Sequence, residues 1–140
     1  MLSPELRDAI VEHAREASPN EACGLIAGRE GVPTRIIRCA NTHPQPTTRY
    51  LIDPREQLRA FQDMDEKGEE LVAIYHSHPA SQPYPSPTDR AESHYPDAVY
   101  LLVSLRSEAP EVRAFRIQED VVREVSLLQT GSGRSSDPRS

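Results

Sequence analysis

The stretch HSHPASQPYPSPTD, from His76 to Asp89, has two histidines on either side of one serine, then a proline-rich loop, and ends in Ser-Pro-Thr-Asp. The preceding run LVAIY predicts a largely buried strand, which must end by Pro79 because proline cannot continue its ladder. Side chains on a strand alternate between faces, so His76 and His78 are expected to point the same way and Ser77 the opposite way. Two imidazoles at one strand end favour a metal site over ordinary hydrogen-bonding histidines.

The last four residues, Ser86-Pro87-Thr88-Asp89, have two interpretations. A serine, then a proline, then an acid three residues after the serine is the capping-box pattern that begins a helix. The Asp89 carboxylate could instead bind a metal. These four residues alone favour the cap, and only the whole spacing from His76 onward brings the metal into consideration.

Composition narrows the class of protein. A chain of 140 residues is the size of one domain, and its net charge of -6 offers no basic surface for nucleic acid. No apolar run approaches the roughly 20 residues that span a bilayer, and the acidic N-terminal segment does not resemble a signal peptide. Two cysteines are too few for a disulfide framework, which agrees with a reducing compartment. We therefore expect a cytoplasmic protein with no nucleic-acid or membrane partner; no oligomeric state follows from the sequence.

Three helices are predicted from their start and stop signals. Ser3-Pro4 begins a helix that ends near Ala17, and Asp53-Pro54 begins a second helix over 54–67. The run PTDRAESHY has room for about two helical turns before Pro96.

Strand-like runs surround these helices. EACGLIAGRE and VPTRIIRCAN flank a Glu30-Gly31 turn and predict a hairpin, and TTRYLID predicts a further short extended segment. AVYLLVSL, EVRAFRI and VVREVSLL follow as three more strands, so the order of elements is mixed α/β. The tail, residues 129–140, is small and polar, and we expect it to be disordered.

The cysteines and the other histidines are weaker candidates. In the hairpin Cys23 would face Cys39, and a redox role is conceivable, but two buried apolar thiols are the more common outcome. Surface or capping roles are favoured for His13, His43 and His94. Neither cysteine is in the Pro-Cys-x-x-Cys pattern of the zinc deaminases.

The spacing His-x-His, seven residues, Ser, two residues, Asp resembles the signature of the JAMM (MPN) metalloprotease family at each defining position. EACGLIAG resembles the first core strand of that family, whose leading glutamate matches Glu21. The resemblance implies an α/β domain over residues 1–128, with a mixed curved β-sheet flanked by helices (the MPN fold, cytidine-deaminase-like) and a zinc site at one sheet edge.

The resemblance also implies that His76, His78 and Asp89 bind Zn²⁺, that Glu21 acts as general acid/base, and that Ser86 stabilises the oxyanion. Two imidazoles and one carboxylate suit catalytic zinc because they leave a fourth position for water. Periodicity alone does not distinguish Glu21 from Glu30, Glu69 or Glu70.

The implied function is hydrolysis of a peptide or isopeptide bond at the C-terminus of a ubiquitin-like or sulfur-carrier protein, since the chain lacks long insertions and so resembles short prokaryotic members. The alternative is a non-catalytic MPN scaffold that binds partner proteins. Such scaffolds usually lack some ligands, whereas every motif position is present in this chain.

Overall fold

A computed structural model describes residues 2–127 of the chain. In chain order, the elements are α1 (Pro4–Ala17), β1 (Cys23–Arg29), β2 (Val32–Cys39), α2 (Pro54–Glu66), β3 (Glu70–His78), α3 (Pro87–Ala91), β4 (Val99–Ser104), β5 (Glu111–Gln118) and β6 (Val121–Val125). The predicted tail at 129–140 lies outside the described residues, so its disorder and the domain boundary at 128 stay predictions.

The six strands form one sheet in the order β2-β1-β3-β4-β5-β6. The β3–β4 pair is parallel and the other neighbours are antiparallel, which confirms the predicted mixed sheet. The β1–β2 hairpin turns at Glu30 and Gly31, whose φ angles of 52° and 79° suit a two-residue turn with both positions left-handed. Its register pairs Cys23 with Cys39, as predicted.

The two long helices cover opposite faces of the sheet. Ile10, Val11 and Ala14 of α1 belong to one apolar cluster together with Ala73 and Tyr75 of β3. The second cluster contains residues of α2 and the opposite side of β3: its buried members are Cys23, Leu25, Ala27, Cys39, Ile52, Ala60, Met64, Ile74, Tyr100 and Ile117. Because side chains alternate along β3, residues 74, 76 and 78 share the face that α2 covers.

Two predicted elements differ from the structure. The run TTRYLID is not a strand: within it only Ile52 forms an isolated bridge, to Asn41. The Asn41 side chain replaces a ladder there, because its Oδ1 accepts from Leu51 N–H and its Nδ2 donates to the Arg49 carbonyl. Helix α3 has five residues and not two full turns, and its C-cap is Glu92.

The end of β3 that carries the histidines lies in the middle of the sheet. β1 and β4 pair with β3 on its two sides, so the predicted sheet edge is the margin formed by strand ends and not an edge strand. Among the helices of residues 2–127, none is both long and apolar enough to cross a bilayer.

Candidate metal centre

The predicted ligand residues come together between the end of β3 and the start of α3. Ligand atoms of His76, His78 and Asp89 all lie within 4.8 Å of one another. Oδ2 of Asp89 lies 3.1 Å from Nε2 of His76 and 3.0 Å from Nε2 of His78. The two imidazoles are buried, and the Asp89 side chain is 9% exposed. Three potential ligands therefore converge on one spot that bulk water barely reaches.

Asp89 forms the cap that its sequence context predicts, and its carboxylate also lies beside the two imidazoles, where a metal ligand would lie. Its Oδ2 accepts a 2.9 Å hydrogen bond from Ser86 N–H, while Asp89 N–H donates to Ser86 Oγ at 3.0 Å. This is a complete capping box at the start of α3. The same oxygen faces both imidazoles, so the cap fixes the carboxylate in position beside them. Although burial alone would raise the pKa of Asp89, the imidazoles and the Ser86 N–H lower it well below its ordinary value.

His78 is held at both ring nitrogens. Its Nδ1 lies 2.8 Å from the Gln82 carbonyl oxygen, which can only accept, so Nδ1 carries a proton. That bond orients the ring and directs Nε2 toward Asp89, as an outer partner orients a metal-binding histidine. Burial favours the neutral ring, but the bonds to Asp89 and Gln82 outweigh it and raise the pKa of His78.

His76 is held by stacking instead. Its ring lies against Tyr50, with centroids 4.4 Å apart and planes inclined by 22°. Neither of its nitrogens forms a hydrogen bond, although Nε2 is close to Asp89. Burial lowers the pKa of His76 despite the nearby carboxylate, so the neutral ring with a free lone pair is favoured.

Glu21 reaches the same site from the segment before β1. Cys23 pairs with His76 across β1 and β3, and Ala22 and Ser77 continue the ladder: Ala22 N–H donates to Ser77 Oγ at 2.8 Å and Ser77 N–H to the Ala22 carbonyl at 3.0 Å. The next residue, Glu21, therefore lies across from His78 on the side of the imidazoles.

Glu21 as a whole is 4% exposed, and its Oε1 has no hydrogen-bond partner. Burial raises its pKa to about 8; nearby His78 opposes this shift and Asp89 adds to it. A buried polar atom without a partner is costly unless a ligand or water satisfies it. The free Oε1 is what a group acting on a bound water or substrate requires.

The donor set fits a divalent metal. Nε2 of His76 and the orphan oxygen of Glu21 are buried polar atoms without a hydrogen bond, and a cation with its water would satisfy them. Imidazole and carboxylate are common zinc ligands, and three of them leave one position open. Within the described part of the chain, this is the one cluster of at least three such side chains whose ligand atoms come this close.

The other three candidate glutamates lie away from the site. Glu69 bonds to Arg35, with Oε1 2.8 Å from Nη2, and to the Thr34 hydroxyl at 2.9 Å. Glu30 forms the hairpin turn, and Glu70 starts β3, at the end of that strand opposite the histidines. The register between β1 and β3 thus separates Glu21 from the other three glutamates. Periodicity alone did not make that distinction.

Cys23 and Cys39 are free and buried, and burial raises their pKa values to about 12 and about 11. The favoured interpretation, small buried thiols, agrees with this environment. Among the other histidines, His13 pairs through Nδ1 with the Tyr75 hydroxyl at 2.7 Å, while His43 and His94 line a cavity near the site.

Sequence reasoning missed two residues that shape the site. Tyr50 stacks on His76, and Asn41 holds the segment before β1 by donating from Nδ2 to the Glu21 carbonyl at 3.0 Å. Neither belongs to a spacing pattern, since both act from the loop between β2 and α2. Only the tertiary contact identifies them.

The fold and this site define a class: a mixed α/β domain with a His-His-Asp cluster at the end of a central strand. The profile of the family described as prokaryotic homologues of the JAB domain matches residues 3–118, and the chain belongs to that family. This confirms the resemblance to JAMM (MPN) proteins.

Curated relatives and a solved structure agree with this family assignment. The chain is 42% identical over 127 residues to the CysO-cysteine peptidase of Mycobacterium tuberculosis, covering 89% of this chain and 86% of that one. It is 43% identical over 116 residues to the probable TtuB-protein conjugate cleaving protease of Thermus thermophilus, covering 83% and 73%. A crystal structure of AF2198, a JAB1/MPN domain protein from Archaeoglobus fulgidus, matches with a TM-score of 0.57 at 20% identity over 87% of this chain and 91% of that one, which supports the fold alone.

Proposed function

We propose that this protein is a zinc-dependent metallopeptidase of the JAMM type that hydrolyses peptide or isopeptide bonds at the C-terminus of a ubiquitin-like or sulfur-carrier protein. One observation carries the proposal: two imidazoles and a capped carboxylate converge within 4.8 Å, beside a buried carboxyl that has an unpartnered oxygen. The family and its peptidase relatives support an enzyme of this class.

His76, His78 and Asp89 would hold the zinc. A zinc ion with three protein ligands lowers the pKa of a bound water toward about 7 and polarises a carbonyl. The protein fixes the three ligands by different means. The Gln82 carbonyl orients His78, Tyr50 stacks on His76, and the capping box holds Asp89.

Glu21 would act as general base and then general acid. Its backbone is fixed by two hydrogen bonds, because its N–H donates to the Pro46 carbonyl at 2.7 Å and its carbonyl accepts from Asn41. Its Oε1 is free to accept a proton from the attacking water and to return it to the leaving amine. No ligand role is assigned to it, since the metal-binding cluster is complete without it.

Ser86 would contribute a hydrogen bond to the developing oxyanion. In the capping box its Oγ accepts from Asp89 N–H, so its own hydroxyl hydrogen remains available as a donor. A donor aimed at the growing charge is a common source of transition-state stabilisation.

The substrate proposal rests on the relatives, two of which are named for CysO-cysteine and for TtuB-protein conjugates. An extended C-terminal tail suits a site at strand ends. Cleavage of such carriers agrees with the predicted cytoplasmic location, which stays a prediction. The alternative, a metal-free scaffold, predicts neither bound zinc nor turnover.

The test is Glu21→Gln in the zinc-loaded protein, assayed on a carrier joined to an amino acid through its C-terminal glycine. Zinc content and melting temperature should stay unchanged while turnover falls by about 100-fold or more, since general base catalysis would be lost. Glu30→Gln, in the exposed hairpin turn, is the matched control and should keep full activity. Undiminished turnover of Glu21→Gln would remove Glu21 from the mechanism, and a wild-type chain that binds no zinc and cleaves nothing would favour the scaffold.

A further inference from the structure

A cavity of about 450 Å³ opens beside the candidate metal centre, on the face of the sheet that α2 covers. Most of its lining consists of aromatic and aliphatic side chains: Tyr50, Ile52, Ile74, Tyr95 and Tyr100. Exposed polar side chains, among them Glu92 and His94, stand at its rim. An apolar lining with a few polar groups at the rim is typical of a binding pocket.

The walls of this cavity are held by hydrogen bonds. Tyr95 N–H donates to the Tyr100 hydroxyl at 3.0 Å, and Gln57 Nε2 donates to the Tyr95 hydroxyl at 2.7 Å. On the other side, Leu51 N–H donates to Asn41 Oδ1 at 3.0 Å, and Thr42 N–H to the Leu51 carbonyl at 2.8 Å. The pocket is therefore formed before any ligand arrives, which reduces the ordering cost of binding.

The pocket and the metal centre share their wall. Tyr50 lines the cavity with one part of its surface and stacks on His76 with its ring. Ile74, also in the lining, lies two residues before His76 on the same face of β3. A substrate chain that followed the direction of β3 away from the metal centre would run past this pocket.

Spacing indicates which substrate residue reaches it. Two residues on a strand span about 7 Å, so the part of the pocket around Ile74 lies about two residues of extended chain from a carbonyl held beside His76, while Tyr50 forms the part nearest the site. We take the proposed carrier tail to end in two glycines, so that the third residue from the scissile bond is the first with a side chain. Glycine could not fill a cavity of this volume. A single amino acid on the leaving side begins directly at the scissile bond, so we do not assign its side chain to the pocket.

We infer that this cavity is a specificity pocket for one large apolar side chain, carried by the substrate at the third residue before the scissile bond. The inference rests on the proposed hydrolysis of carrier tails and adds the feature by which one tail is preferred to another. Burial of an apolar side chain against Ile52, Ile74 and the three tyrosines supplies the affinity that two glycines lack.

The experiment compares two short synthetic peptides, ending in Leu-Gly-Gly and Ser-Gly-Gly, and the same two tails on a carrier joined to an amino acid. Binding of the free peptides is measured by fluorescence anisotropy, and cleavage of the conjugates as kcat/KM. The zinc-loaded wild type should bind the leucine tail about 10-fold more tightly and cleave it with the same preference, mainly through KM.

Leu51→Trp and Leu58→Trp form a matched pair. Leu51 lines the cavity and is 50% exposed, and Leu58 on α2 is 59% exposed and does not line it. Leu51→Trp should lose the leucine preference, because the larger ring occupies the pocket and leaves no room for the leucine side chain. Leu58→Trp should keep the preference.

Equal binding of both tails to the wild type, or an unchanged preference in Leu51→Trp, would overturn the pocket assignment. If the conjugates are still cleaved, the proposed hydrolysis stands. If no conjugate is cleaved but the leucine peptide is preferred and Leu51→Trp abolishes that preference, the pocket stands and the proposed reaction fails.

Discussion

Helices α1 and α3 both begin with a serine followed by a proline, but the two starts are stabilised in different ways. Ser3 Oγ accepts from Leu6 N–H at 3.2 Å, and the 14-residue helix then buries three side chains against the sheet. Ser86 caps a helix of five residues that buries none. A helix of five residues is not stable in isolation, so packing maintains α1 while α3 depends on its cap and on what Asp89 contacts.

The difference teaches that a capping motif can have two uses. In α1 the cap supports an element of the core. In α3 the cap positions a carboxylate, whose Oδ2 faces two buried imidazoles. The short helix then serves the site rather than the core.

The largest expected effect follows from changing the cap carboxylates. Asp89→Asn should weaken zinc binding by more than about 100-fold, because even an outer partner of a metal ligand contributes roughly 10- to 100-fold. Asp53→Asn is the matched control: Asp53 caps α2 by accepting from Arg55 N–H, and asparagine caps nearly as well. Metal analysis after mild chelation measures both, and full zinc retention by Asp89→Asn would show that Asp89 is a cap only.

The next largest effect concerns the two capping serines, Ser3 and Ser86. Ser3→Ala and Ser86→Ala should each lower the free energy of unfolding by about 1 kcal/mol, the usual cost of losing an N-cap. Only Ser86→Ala should also lower turnover, by about 100-fold if its hydroxyl stabilises the oxyanion. Thermal melting and single-turnover kinetics on both variants separate the two effects. Equal turnover in the two variants would leave Ser86 as a cap alone.

Local signals in the sequence predicted the parts of the fold that depend on neighbouring residues. Ser3, Asp53 and Ser86 are N-caps, and the Glu30-Gly31 turn joins the predicted hairpin. The extended pairing expected for TTRYLID is absent because the Asn41 side chain, several residues earlier, bonds to the backbone groups that a strand would pair.

The candidate site was predictable only in part. The spacing of the motif identified the cluster of His76, His78 and Asp89, which the structure brings together; its metal-binding role stays a prediction. Glu21 required the family resemblance, because its position opposite His78 depends on a pairing such as Ala22 with Ser77, 55 residues apart. Tyr50 gave no signal, since its stacking on His76 depends on how a loop folds over the sheet.

The smallest expected effect concerns the two helix starts when the metal is removed. If zinc holds Asp89, chelation should remove one support of α3 and leave its capping box and the contacts of Asp89 with the imidazoles, so its amides should exchange at least about 10-fold faster. The reporting amides are those of Asp89, bonded to Ser86 Oγ, and of Arg90, bonded to the Ser86 carbonyl at 3.0 Å.

The amides of Leu6 and Arg7 form the equivalent bonds to Ser3 at the start of α1 and should exchange at the same rate with and without zinc, because packing maintains that helix. Hydrogen exchange followed by NMR on zinc-loaded and chelated protein gives both rates in one experiment. Asp89→Asn should show the faster α3 exchange already before chelation. Equal acceleration at both starts would mean that the metal stabilises the whole domain, and no change at either would mean that the cap alone suffices to hold α3.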